Sequence, residues 1–96
     1  MNFELKGIHY EISEKTKVQF EKKIARLQAA EDNVSELSVS IERQNDLYIL
    51  KANMIFRWGN PCFIQAEDHE LFNAIDRLQE KIKTKLVREK EKIQDK

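Results

Sequence analysis

Five basic residues near the end of the chain have the spacing of one side of a helix. They follow one another at intervals of four, four, three and four residues: Arg77, Lys81, Lys85, Arg88 and Lys92. At about 100° per residue this spacing gathers them into a single stripe along roughly 22 Å of helix, here called the basic stripe. A row of cations this long can meet successive phosphates, so it predicts a nucleic-acid-binding surface. The alternative is an ordinary solvated helix face with acidic partners at helical spacing.

The neighbouring acids favour the first interpretation. Asp76 and Glu80 wind to the far side of the same helix, so we expect the basic stripe to be free of them. The overall composition is neutral on this point, because Lys plus Arg and Asp plus Glu number 17 each. Only the distribution of charge along the chain, and not its sum, indicates an anionic partner.

Other chemistry has little support. The histidine and cysteine side chains that could bind a metal are His9, His69 and Cys62, and their spacing in the sequence matches no metal-binding motif. The Cys62 thiol is best explained as a small buried side chain. Because Gly7 and Gly59 are the only glycines, there is neither a glycine-rich phosphate loop nor a nucleophile elbow. We therefore predict no cofactor, no metal, no small-molecule substrate and no enzymatic activity.

Length and composition indicate one folded domain. The chain has 96 residues, of which 41% are apolar and 35% charged, enough for a single core under a highly charged surface. It shows no leader segment and no apolar run near 18 residues, and its single cysteine cannot form an internal disulfide. We expect residues 1–96 to form one domain in the cytoplasm, without membrane contact.

Hydrophobic periodicity predicts the elements that position the basic stripe. Apolar residues of the final helix lie beside that stripe and are suited to cover a sheet: Leu71, Ile75, Leu78, Ile82, Leu86 and Ile93. Upstream, alternating and helical patterns predict a strand at Asn2–Lys6, a helix from Ser13 to about Ala30, strands at Val34–Gln44 and Leu47–Trp58, a short strand at Cys62–Ala66, and Asp68 as the cap of the final helix.

This order predicts an α+β fold of the form β-α-β-β-β-α. The first two strands are joined through a helix and should be parallel, and the other two connections are hairpins. The result is a four-stranded mixed sheet with both helices packed on one face. By parity Ile49, Ile55 and Phe63 point to the open face, where they could form a partner surface. Trp58 could stack on a base, but we favour its packing at the hairpin.

A family resemblance joins these features. The sequence resembles the ribosome hibernation promoting factors, which include the ribosome-associated inhibitor called protein Y, over essentially its whole length. The resemblance is carried by Gly7, by Glu11-Ile12-Ser13-Glu14, by Lys23 with Arg26-Leu27, by Ala66-Glu67, and by LFNAIDRLQEKIKTKL followed by Arg88, Lys90 and Lys92.

The resemblance implies a function and a set of site residues. Such proteins bind the 30S subunit of the 70S ribosome, against 16S rRNA in the messenger and transfer RNA channel near the decoding centre, and hold it inactive during starvation or stationary phase. The positions that match the basic pattern of the family are Lys23, Arg26, Lys81, Arg88, Lys90 and Lys92. For Arg77 and Lys85, the prediction of RNA binding depends only on their position in the basic stripe. Thr84 and Glu42 stand where basic residues are common in the family, which puts a strand contribution to RNA binding in doubt.

The length of the chain resembles the short form of the family, without a C-terminal dimerisation domain. The resemblance implies that such a form pairs ribosomes only with a second, ribosome-dimerising factor. Two further hypotheses stay open at this point. One is a regulatory module for double-stranded or structured RNA, and the other is a protein-interaction module that uses the open sheet face.

Overall fold

The computed structural model describes residues 2–27 and 32–94, with the side chains of the last helix described as far as residue 91. The elements in chain order are β1 (Asn2–Ile8), α1 (Glu14–Ala25), β2 (Val34–Gln44), β3 (Leu47–Phe56), β4 (Pro61–Asp68) and α2 (Leu71–Gln94). The strands form one sheet in the order β1-β2-β3-β4. β1 is parallel to β2, whereas the β2-β3 and β3-β4 pairs are antiparallel. The predicted α+β fold with a four-stranded mixed sheet is confirmed.

The chain leaves β1 through an unusually close backbone contact. A Cβ atom placed on Gly7 would lie 1.8 Å from the carbonyl oxygen of Tyr10. The left-handed residue of this turn is His9, with a φ of 51°. Gly7 therefore serves the close approach of two backbone segments rather than the turn itself, and β1 extends two residues beyond its predicted end at Lys6.

Helix α1 begins as expected and ends early. The Ser13 hydroxyl accepts a hydrogen bond from the Thr16 backbone N–H at 3.2 Å, which is N-cap geometry. The helix ends at Ala25, so the predicted extension to about Ala30 is wrong, and residues 28–30 themselves lie outside the described part of the chain. The apolar repeat predicted too long a helix because Leu27, just beyond the helix end, still packs against the core. The Leu27 N–H donates to the Ile24 carbonyl, three residues back, in a tighter turn than that of an α-helix.

The core lies between the sheet and the two helices. The apolar side of α2 is almost fully buried, including Leu78 and Ile82 at 0% exposure, and it belongs to one cluster with Leu50 and Met54 of the central strand β3. α1 joins the same cluster through Phe20. Both helices therefore cover one face, as predicted, and burial of each large side chain contributes about 1.5–3 kcal/mol.

The two hairpin turns are also accounted for. Asn45 has a φ of 55° and Gly59 a φ of 93°, the left-handed conformations that tight turns require. β3 ends at Phe56, two residues before its predicted end, and Trp58 stacks on the Phe56 ring at a centroid distance of 5.0 Å. Trp58 thus packs at the hairpin. No helix in the described part of the chain has the length and apolar character needed to span a lipid bilayer.

Candidate nucleic-acid interface

A groove runs between α2 and the edge of the sheet. β4 is the edge strand of the described sheet, so its outer backbone groups face no further strand within the described ranges. The Lys81 ammonium donates a hydrogen bond to one of them, the Gln65 carbonyl, at 2.6 Å. The groove has a volume of about 390 Å³ and is lined by Phe63, Ile64 and Gln65 of β4 and by Glu80, Lys81, Thr84, Lys85 and Arg88 of α2. We call it the edge groove.

The helix pattern explains why cations line the edge groove. α2 lays its apolar side over β3 and β4, with Ile75, Leu78 and Ile82 buried. Residues centred about 100° round the helix from that side then fall beside the free edge of β4. The same winding continues the basic line to Arg77, which lies in an adjoining depression of about 570 Å³ together with Gln65 and Lys81.

Lys85 and Arg88 are the most available cations of the edge groove. Neither forms a salt bridge with another residue in the described ranges. Burial raises the pKa of the nearby Cys62 thiol, while the positive charge of Lys85 opposes this rise. The thiol therefore stays protonated at neutral pH and supplies no thiolate counterion to Lys85.

Arg77 is held by an acid at the entry to α2. Its Nε lies 3.0 Å from an Asp68 carboxylate oxygen, and the other Asp68 oxygen accepts the Glu70 backbone N–H at 2.9 Å. The N–H bond from Glu70 is the largest cause of a lowered pKa at Asp68, and the charge of Arg77 lowers it further. Asp68 is therefore ionised at neutral pH, and it partly neutralises Arg77.

The expected capping role of Asp68 is modified. The first α2 hydrogen bond runs from the Ala74 N–H to the Glu70 carbonyl at 3.0 Å, which makes Glu70 the N-cap residue. Asp68 lies two residues before Glu70, and its carboxylate accepts a hydrogen bond from the Glu70 N–H. This contact is an Asx turn that leads the chain from β4 into the helix.

The separation of acids from the basic stripe is less complete than expected. Glu80 lines the edge groove beside Lys81, and Asp76 reaches the adjoining depression. The prediction that both carboxylates turn away from the stripe is therefore wrong for Glu80, whereas the Asp76 carboxylate contacts Lys23 of α1. Glu80 directly precedes Lys81, so its side chain can reach the rim of the groove although its Cα lies about 100° round the helix from that of Lys81.

Lys23 has a structural contact between the helices. Its ammonium donates to the Asp76 carboxylate of α2, and the Lys23 side chain is only 19% exposed. The Gln79 side-chain amide donates to the Lys23 carbonyl at 3.1 Å. Lys23 thus links α1 to α2 and does not line the edge groove.

The remaining predicted site residues lie apart. Arg26 is exposed at the C-cap of α1, and Lys90 is exposed on α2. Lys92 belongs to α2, but its side chain lies outside the described ones. The structure therefore brings together Lys81, Lys85 and Arg88, places Arg77 next along the same edge, and leaves Lys23, Arg26 and Lys90 outside the edge groove.

The open sheet face differs from expectation at one residue. Phe63 and Ile55 are exposed at 58% and 37%, whereas Ile49 is buried at 9%, in register between Glu42 and Glu67. Ile49 thus lies on the open face as predicted, but it offers little exposed surface to a partner. Sequence reasoning also failed to connect Phe63 with the basic stripe, since no pattern shows that β4 is the terminal strand beneath α2. Within the described ranges, no group of three or more His, Cys, Asp and Glu side chains could hold a metal ion.

The fold and groove define a class: a small α+β domain that presents a line of cations along one sheet edge, as proteins that follow a nucleic-acid backbone do. The chain belongs to the family described as Sigma 54 modulation protein / S30EA ribosomal protein, whose model matches residues 3–94. This match confirms the resemblance to the ribosome hibernation promoting factors.

Two solved structures are similar to the chain over nearly all of its length. A ribosomal subunit interface protein from Coxiella burnetii has a TM-score of 0.88 and 27% identity, covering 94% of this chain and 98% of its own. The N-terminal domain of Thermus thermophilus Protein Y has a TM-score of 0.79 and 27% identity, covering 92% and 98%. No curated protein sequence matches the chain.

Proposed function

We propose that this protein is a non-enzymatic ribosome hibernation factor. It binds the 30S subunit of the 70S ribosome against 16S rRNA, in the messenger and transfer RNA channel near the decoding centre, and inhibits translation during starvation or stationary phase. Family membership and the similarity to a ribosomal subunit interface protein support a ribosomal partner. The single observation that carries the RNA-binding part is the edge groove, lined by Lys81, Lys85 and Arg88.

The edge groove supports a mechanism in which the protein inhibits translation by occupying the RNA channel of the ribosome. From Arg77 to Arg88 the basic stripe extends about 16 Å along the helix, at 1.5 Å per residue. With about 3.4 Å of duplex axis for each phosphate of one strand, this length matches on the order of five phosphates. A protein held there needs no reaction to inhibit translation, because the bound domain excludes the RNAs that would use the same channel.

We rank the proposed rRNA-binding residues by their surroundings. Lys85 and Arg88 come first, because they have no salt-bridge partner in the described part of the chain. Lys81 follows, because its ammonium already donates a hydrogen bond to the Gln65 carbonyl. Arg77 comes next, because it forms a salt bridge with Asp68. The remaining proposed contacts are carried by the family pattern: Lys23, Arg26, Lys90 and Lys92.

Co-sedimentation with purified 30S subunits and 70S ribosomes over a range of salt tests this proposal. The variant K81E/K85E/R88E reverses the edge groove, and K15E/K22E/K83E makes the same change in net charge at exposed lysines outside the proposed set. Loss of about three phosphate contacts should lower the slope of log affinity against log salt by roughly 2–3 and weaken binding by orders of magnitude.

The control variant should bind nearly as the wild type does. Equal binding and equal salt dependence for the two triple variants would show that the edge groove is not the rRNA-binding surface. An in vitro translation reaction should be inhibited by the wild type and by the control variant, but not by K81E/K85E/R88E. Sucrose gradients with and without a second ribosome-dimerising factor then test whether ribosome pairing requires that partner.

A further inference from the structure

Phe63 is an exposed aromatic side chain that the core does not explain. At 58% exposure it is the most accessible of the large apolar residues on the described surface. Trp58, by contrast, has one face covered by Phe56. In the described part of the chain no other aromatic ring stacks on Phe63. Its ring is therefore available to a ligand, and every nucleobase offers a flat surface to such a ring.

Phe63 lines two depressions that meet at the sheet edge. One is the edge groove, where it lies with the cations of α2. The other, of about 370 Å³, lies on the open sheet face, where Phe63 is accompanied by Lys51, Lys6 and Asn53. It therefore occupies the corner between the basic stripe and two further lysines on the other side of the edge.

The sheet register places a cation beside the ring on the open face. Phe63 lies opposite Asn53, and Lys51 lies opposite Gln65, so Lys51 is the diagonal neighbour of Phe63. In an antiparallel pair this diagonal separates Cβ atoms by roughly 7–8 Å. No salt bridge joins Lys51 to another residue of the described ranges.

Acidic side chains limit the path that an anion could take across this face. Glu42 and Glu67 lie in the register row beyond Lys51, and Glu36 lies in the row beyond Phe63 on the other side. The two middle rows contain Phe63 and Lys51, and the acid in these rows is Glu4 on β1, at the opposite end of the Phe63 row. The stretch of this face that favours a polyanion is therefore the part on β3 and β4, between Phe63 and Lys51. An acidic protein segment could use the lysines, but it would gain less from a flat aromatic ring at the corner.

We propose that Phe63 is a stacking platform for an unpaired base of the bound RNA. The RNA backbone lies against Lys81, Lys85 and Arg88 on one side of that base and reaches Lys51 on the other. This inference rests on the proposed function and adds to it a single-stranded segment at the turn of the sheet edge. Stacking on one ring does not distinguish bases strongly, so the contact is independent of sequence.

Binding of two probes by fluorescence anisotropy tests the stacking contact. The probes are a short oligoadenylate and an abasic ribose-phosphate chain of the same length, which has the charges but no bases. Phe63→Ala should weaken oligoadenylate binding by roughly 5- to 140-fold, and Phe63→Trp should restore it. Binding of the abasic chain and the salt dependence should be unchanged in both variants. Ile55→Ala, on the same face but outside both depressions, is the matched control and should bind as the wild type does.

The outcomes separate this inference from the proposed function. If Phe63→Ala weakens both probes equally, or no more than Ile55→Ala weakens oligoadenylate, the stacking role is wrong. If Phe63→Ala weakens 30S binding alone, the ring contacts a ribosomal protein and the inference is also wrong. Failure of K81E/K85E/R88E to weaken either probe would instead overturn the RNA-binding groove itself. Thermal unfolding should be nearly the same for all Phe63 variants, because the side chain is mostly exposed.

Discussion

Under the proposed function, replacing Asp68 by Asn should strengthen RNA binding, because the Asp68 carboxylate occupies the Arg77 guanidinium that a phosphate would contact. The carboxylate lies 3.0 Å from the Arg77 guanidinium, at the end of the basic stripe. Asn keeps a side-chain oxygen that can accept the Glu70 N–H, so the entry into α2 is preserved while the charge is removed. Arg77 then becomes available for one additional phosphate.

The magnitude follows from counterion release. One more phosphate contact makes the slope of log affinity against log salt steeper by about 0.7–0.9. Over a fourfold change in salt, that slope corresponds to a difference of about 2.6- to 3.5-fold in affinity between the variant and the wild type. The advantage of Asp68→Asn should therefore be largest in low salt and shrink by this factor as salt is raised.

The assay is 30S binding at several salt concentrations, with Glu67→Gln as the matched control. Glu67 is the preceding residue and lines the same depression as Arg77, but it forms no salt bridge within the described ranges. If the two variants steepen the slope equally, the gain comes from the general field and not from Arg77. If Asp68→Asn leaves affinity and slope unchanged, Arg77 makes no phosphate contact and the basic stripe ends at Lys81.

Two predictions concern stability. The lowered pKa of Asp68 implies that its ionised form stabilises the fold above the ordinary carboxyl pKa of 3.8, and that this contribution is lost as pH falls through the lowered value. The midpoint temperature of thermal unfolding should thus be higher for the wild type than for Asp68→Asn near neutral pH, and the two midpoints should converge in acid. A difference in midpoint that stays constant with pH would contradict the linkage. Gly7→Ala should destabilise the protein by on the order of 3 kcal/mol in urea unfolding, because its Cβ meets the Tyr10 carbonyl. Gly59→Asn has open space around it and should cost clearly less, since Asn tolerates a positive φ, and an equal loss would contradict the steric argument.

The periodicities of the sequence were sufficient for the elements and their layers. The alternating strands and the apolar side of α2 each bury one set of residues, and a sheet with both helices on one face buries these sets together. Local side-chain contacts could not be predicted in this way. Lys23 has the sequence context of an RNA-binding lysine, yet its ammonium lies against Asp76, 53 positions further along the chain. Pairs between elements depend on packing geometry, which no local pattern contains.

The edge groove shows the same limit more clearly. The spacing of Lys81, Lys85 and Arg88 predicts a shared helix side, but the sequence does not say what lies next to that side. The strand order places β4 at the edge, and this adds Phe63 to the cations. An apolar residue on the opposite face of the sheet thereby becomes part of the candidate site.

A chain with no net charge can still bind a polyanion, because charges act locally in salt solution. At physiological ionic strength the screening length is about 8 Å, which is about half of the length of the basic stripe from Arg77 to Arg88. A phosphate in the edge groove therefore responds to Lys81, Lys85 and Arg88, and to the acids that lie with them, rather than to the 17 carboxylates of the whole chain. Under the proposed function, Asp68 and Glu80 should weigh more on RNA affinity than distant acids do, and the balance of charge within the groove, not the composition, should set the strength of binding.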